Sequence, residues 1–125
     1  MNVPTSAPWA TTVGYSRAVR VGSHVFISGT APVGEDGSIV APGDPYRQAQ
    51  RCFEIIAAAL EATGASVADV VRTRMFVRHP ADWQEIGRAH GEIFGQIKPA
   101  TTMVFTNFID PEMLVEIEAD ALIAG

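Results

Sequence analysis

A chain of 125 residues with 47% apolar side chains is long enough to bury a core without staples and too apolar to stay disordered. Its net charge of −5 argues against a nucleic-acid partner, because a basic footprint supplies most of that affinity. The longest purely apolar run, Ile55 to Leu60, falls far short of the roughly 20 residues that span a bilayer.

The order of the chain predicts one domain over residues 1–125. Residues 1–13, rich in Pro, Ser and Thr, read as an irregular arm. The start has no basic segment followed by an apolar stretch, so no secretory leader is expected. Val19 to Val21 and His24 to Ser28, joined at Gly22-Ser23, read as a hairpin, and Ser28-Gly29-Thr30-Ala31-Pro32 as the break that ends its second strand. Gly34 to Gly43 is a turn-rich loop with one short strand-like piece, Ser38 to Val40.

Asp44-Pro45 reads as a helix start, with Asp accepting from free amides and Pro in the first turn. Tyr46, Ala49, Phe53, Ile56 and Leu60 then recur at helical spacing on one face, and Gly64 ends the helix. Ser66 to Asp69 has the pattern of a capping box. Val70 to Val77 alternates as a strand, with Val71, Thr73, Met75 and Val77 expected on one face and Arg72, Arg74 and Phe76 on the other. Asp82-Trp83-Gln84-Glu85 predicts a second helix opened by a capping box. Its apolar stripe is Trp83, Ile86, Ile93, Phe94 and Ile97, with His90 among them. Thr101 to Phe105 and Leu114 to Leu122 are the closing strands.

This order, with one apolar face on each helix, predicts an α+β domain with two layers: one sheet, and both helices on the same side of it. The opposite sheet face would carry Arg72, Arg74 and Phe76. That mixture suits burial against another subunit better than plain solvent.

Few residues invite chemistry. His24, His79 and His90 are isolated, and no spacing of His or Cys suits a metal. There is no nucleophile elbow and no glycine-rich phosphate loop. No cofactor is expected. Cys52, beside Phe53 in the first helix, reads as an inert thiol that needs no oxidising compartment, which points with the rest to the cytoplasm. Glu116 and Glu118 alternate in the last strand and share a face about 7 Å apart. Such a pair can split its pKa values to supply an acid or base, or can form ion pairs with Arg72 or Arg74. His90 on the apolar stripe reads as a packed, hydrogen-bonded residue or as a site group.

Several stretches together resemble the RidA/YjgF family. They are Gly14-Tyr15-Ser16-Arg17-Ala18-Val19, Phe26-Ile27-Ser28-Gly29-Thr30-Ala31-Pro32, Val70 to Val77, Pro99-Ala100-Thr101-Thr102-Met103-Val104, and Glu116-Ile117-Glu118-Ala119. The resemblance implies a chorismate-mutase-like fold with a mixed sheet. It also implies a homotrimer with small-molecule sites between subunits, and hydrolysis of reactive imines or enamines such as 2-aminoacrylate. Carried over by position, it makes Tyr15, Ser28, Gly29 and Glu116 site residues, with Glu116 handling water. It also points to departures. Thr101 stands where typical members have the arginine that forks onto the substrate carboxylate, and Met103 where they have Cys. Gly87 replaces an Asn, and His90 a nearby aromatic. Thr has no charge and cannot make that bidentate contact, so the resemblance is to branches that lack the arginine.

The expectation is a hydrolase acting on a C–N bond, with Glu116, Tyr15 and His90 as acid–base and hydrogen-bonding groups. Ser28, Gly29, Thr101, Met103 and Gly87 would line the ligand. The competing expectation is a trimer that binds a metabolite without turning it over. RNA cleavage, an activity with which some members are labelled, fits the acidic charge least.

Overall fold

A computed structural model describes residues 1–124. The strands are β1 Asn2–Val3, β2 Ala18–Val21, β3 His24–Thr30, β4 Val70–Val77, β5 Ala100–Phe105 and β6 Val115–Leu122. The helices are α1 Ala10–Val13, α2 Pro45–Ala62 and α3 Trp83–Phe94. The lead-in is therefore not irregular throughout. Asn2 and Val3 pair with Val19 and Ala18, and Ala10–Val13 forms one helical turn closed by Gly14 in the left-handed region.

All six strands form one mixed sheet in the order β1-β2-β3-β6-β4-β5, antiparallel except for β4 against β5. That parallel pair needs a crossover, which α3 supplies. Asp44 accepts from the Arg47 amide at 3.0 Å, with Pro45 in the first turn. Asp44→Ala should lower the melting temperature by roughly 3–5 °C, from about 1 kcal/mol of lost capping, as read by calorimetry. The Ser66 amide donates to Asp69 Oδ2 at 2.9 Å, the expected local cap of a short 3-10 turn. The second expected box does not form. Residues Pro80–Asp82 make a 3-10 turn that leads into α3, so Asp82 is already helical and caps nothing, and Glu85 bonds Arg88 instead.

The core lies between one sheet face and α2 with α3. From α2 it takes Ala49, Cys52, Phe53, Ile56, Ala59 and Leu60; from the sheet, Val25, Ile27, Met75, Val77, Val115 and Ile117 among others. The arrangement is the expected two-layer α+β fold. Trp83 departs from the predicted stripe and is exposed, while Ala89 takes a core place.

Two register shifts decide which side chains face out. In β4 the pairing slips between Val70 and Arg72. Val70 is therefore buried at 3% exposure and Val71 is turned outward at 49%, against the expectation for Val71. Thr73, Met75 and Val77 keep the inner face, as alternation demands. In β3 the slip falls between Ile27 and Thr30. The strand is not broken at Ser28; it continues to Thr30 through a bulge that sets Ser28 and Gly29 against one residue of β6.

Candidate functional site

The residues singled out in the sequence gather into two groups on opposite faces of the sheet. The first surrounds the β3 bulge. Glu116 lies opposite Phe76 on the outer face, two residues before Glu118, which lies opposite Arg74. The Glu116 carboxyl lies over Gly29, where a Cβ would overlap Glu116 Oε1. Gly29 is required here for space, since its φ is not in the left-handed region.

Arg17 holds the bulge from beside it. Its Nη2 donates to the carbonyls of Ser28 at 3.0 Å and Gly29 at 2.7 Å, and the Ser28 amide donates back to the Arg17 carbonyl at 3.1 Å. The Ser28 hydroxyl donates to the Ser16 carbonyl at 2.6 Å, so it braces the turn into β2. Arg17 Nε is buried without a partner among the described residues. Burial lowers the pKa of Arg17, against the opposing pull of Tyr15 and Glu116. Cys52 is fully buried; burial pushes its thiol far above the ordinary range, and it donates to the Thr30 carbonyl at 3.2 Å. It is a packed thiol, as expected.

The two acidic residues part company. Glu118 shares Arg74 with Asp120, each at 3.2 Å. Glu116 makes no ion pair among the described residues. Burial raises its pKa; Arg17 pulls the other way, and Glu118 adds to the rise. A half-desolvated carboxyl without an ion-pair partner is the condition that tunes a carboxylate toward general-base work near neutral pH.

The second group lies between the β4–β5 edge and α3. Thr101 is opposite Thr73, and Met103 opposite Met75. Thr73, 1% exposed, lies within hydrogen-bonding distance of His90 Nε2 at 2.8 Å and Thr101 Oγ1 at 2.9 Å. His90 also packs against Phe53 and Phe94, at ring separations of 5.8 and 4.7 Å. Gly87 is one turn earlier on α3, with open space where a Cβ would stand. Thr73 was not singled out beforehand. The available signal was a hydroxyl on the inner face of a buried strand, which must find a partner.

Burial holds the His90 imidazole below its usual pKa. The folded protein therefore favours neutral His90. The stability this gives is present above the unfolded value and is lost as pH falls through it toward the lower folded value. A melting temperature that declines between about pH 7.5 and 5.5, and declines less in His90→Gln, is the expected result.

Within one chain Glu116 and the Thr101–Thr73–His90 group do not meet. Three of the arginines are engaged elsewhere rather than free to stand in for one at Thr101. Arg17 is committed to the bulge carbonyls, Arg74 to Glu118 and Asp120, and Arg88 to Glu85 at 2.8 Å and to the Tyr46 ring at 3.6 Å. Among the described residues no group of His, Cys, Asp and Glu is placed to hold a metal. No helix is long and apolar enough to cross a membrane.

Comparison with known proteins is consistent across the chain. The family model described as Endoribonuclease L-PSP matches residues 5–123. An uncharacterized protein of Streptomyces coelicolor is 36% identical over 95% of this chain and 89% of its own. The 3-aminoacrylate deaminase RutC of Acinetobacter baylyi is 31% identical over 86% of this chain and 85% of its own. A YjgF-family crystal structure from Mycobacterium tuberculosis superposes with a TM-score of 0.88 at 40% identity, covering 98% of each chain. TdcF of E. coli, crystallised with bound serine, gives 0.83 at 28% identity, covering 98% of this chain and 94% of its own. With the fold, the motif order and these matches in agreement, the chain belongs to the RidA/YjgF family, the family of the Endoribonuclease L-PSP model.

Proposed function

We propose that the protein is a hydrolase of imines or enamines, with Glu116 as the base that activates water. The observation that carries this is the Glu116 carboxyl: partly desolvated, seated over Gly29 and without an ion pair among the described residues, while its neighbour Glu118 shares Arg74 with Asp120. The relative named 3-aminoacrylate deaminase supports the reaction class, and the serine bound in TdcF supports a small ligand.

In the proposed reaction, an enamine first takes a proton at carbon to become the imine. Glu116 takes a proton from water as the water oxygen bonds to the C=N carbon. The nitrogen receives that proton and then the one released by the new hydroxyl, the C–N bond breaks, and ammonia leaves as the carbonyl forms. Tyr15, near Arg17, would donate a hydrogen bond to the nitrogen or carbonyl.

The site is complete only when a second copy brings its β5 edge and α3, with Thr101, Met103, Gly87 and His90, to the Glu116 side of the first. The outer sheet face supports such packing: Phe26 is 48% exposed and Leu122 44%, beside Val71 and Arg72. A homotrimer places one such site at each contact. The proposed active form is thus three chains, which light scattering of the purified protein checks; a monomer at micromolar concentration counts against the shared site.

With Thr101 where typical members carry the substrate-binding arginine, the reading is of a site without that contact. Ammonia release from 2-aminoacrylate should then be about tenfold or more slower than from an imine lacking the carboxylate, since a charged hydrogen bond is worth roughly 1.5–3 kcal/mol. Equal rates on the two substrates would remove this specificity reading. No ammonia release from any imine would leave a metabolite-binding trimer.

A further inference from the structure

The hydrogen bonds around Thr101 settle where its one proton goes. Thr101 Oγ1 lies 3.2 Å from the Pro99 carbonyl, 2.9 Å from Thr73 Oγ1 and, through Thr73, is linked to His90 Nε2 at 2.8 Å. A carbonyl can only accept, so Thr101 must donate to Pro99. A hydroxyl has a single proton, so the Thr101–Thr73 bond must be donated by Thr73. Thr73 has then spent its own proton, and the bond to His90 must be donated by Nε2. Only this arrangement satisfies all three bonds. The chain runs His90 N–H to Thr73 O–H to Thr101 O–H to the Pro99 carbonyl, every donor is used, and successive donors in such a chain polarise one another.

We infer that Thr101 offers the ligand a hydrogen-bond acceptor, so that the site selects a neutral group bearing N–H, a carboxamide or its like, and disfavours a carboxylate. This rests on the reading above that Thr101 lines the ligand site, and it deepens that reading by naming the ligand class. The position opposite Thr73 is thus inverted in polarity relative to a guanidinium, which only donates. A carboxylate there would bring acceptor against acceptor. An amide N–H would complete the remaining lone pair of Thr101, which is exposed on the edge strand. The burial of Thr73 and the aromatic packing of His90 keep water from competing for the inner links.

Two measurements test it, neither of which needs turnover. Long-range ¹H–¹⁵N NMR of the imidazole should show neutral His90 protonated at Nε2. A proton at Nδ1 instead overturns the relay. Calorimetry with pyruvamide and pyruvate, which differ only in amide against carboxylate, should show pyruvamide bound about tenfold more tightly. Thr101→Val, at an exposed position, should erase that preference by weakening pyruvamide alone. Thr73→Val should narrow it and Thr73→Ser restore it. Pyruvate bound as tightly as pyruvamide, binding of neither, or a preference that survives Thr101→Val overturns the ligand class. A protein that binds pyruvamide as expected yet releases no ammonia from imines overturns the hydrolase reading and leaves this one standing.

Discussion

Glu116→Gln is expected to reduce turnover by about 10²–10⁴-fold, the usual worth of a positioned general base, while the protein folds and binds ligand as before. Gln keeps the shape of Glu and still fits over Gly29. Stability gives an independent check. Burial raises the Glu116 pKa, so the folded state holds the proton more readily than the unfolded chain. That contribution to stability is full below the unfolded pKa and is lost as pH rises through the folded value. At neutral pH an ionised Glu116 therefore weighs against folding, and the Gln variant should melt no lower than the parent. A variant with full activity would remove Glu116 as the base. A variant that melts lower with activity in step would mean that the carboxylate is structural. Glu118→Gln should do the reverse, since it cuts one of the two ion pairs of Arg74 and touches no reacting atom. It should lower stability by a few tenths of a kcal/mol, because the pair is partly exposed.

Gly29→Ala is expected to lower turnover by about 10²-fold, the scale on which a displacement of 1 Å matters to a reacting group. The added methyl would overlap Glu116 Oε1. The carboxyl can move because it has no ion-pair partner among the described residues, so the change should fall on catalysis more than on folding. Gly29→Ala with normal kinetics would show that Glu116 works from some other rotamer. Gly87→Ala, by contrast, adds its methyl into open space within α3 and should raise the melting temperature by a few degrees, since Ala is favoured over Gly in a helix interior by up to about 1 kcal/mol.

The helices and most strands were legible in the sequence because their signals are local. Asp44 and Pro45 set the start of α2, its apolar spacing gave the buried face, and Glu116 and Glu118 shared a face as alternation requires. The bulges were not legible. Val71 faces outward because β4 slips against β6, and that slip is a property of two strands together. Ser28 and Gly29 stay within β3 for the same reason. The division of the site also escaped the sequence. Thr101 and Glu116 lie on opposite faces only by virtue of the order β6-β4-β5, which brings Thr101 level with Thr73 and Glu116 level with Phe76. Arg17 stood in the sequence only as part of one resembling stretch, and its role as the clamp of the bulge depends on the carbonyls that the bulge turns toward it.

One further side chain ties distant segments together. Gln48 is fully buried in α2. Its Nε2 donates to the Glu112 carbonyl at 3.0 Å and the Ala41 carbonyl at 3.4 Å, and its Oε1 accepts from the Leu114 amide at 2.9 Å. The loop before α2 and the loop before β6 are therefore spliced to one amide group. An insertion in either loop near these carbonyls would strand buried polar atoms, so neither is free to lengthen as surface loops usually are. Length variation among descendants of this chain should instead collect where the backbone is exposed and untethered, around Glu35 to Gly37. The Leu114 amide, although outside any strand, should exchange with solvent as slowly as those of the central sheet.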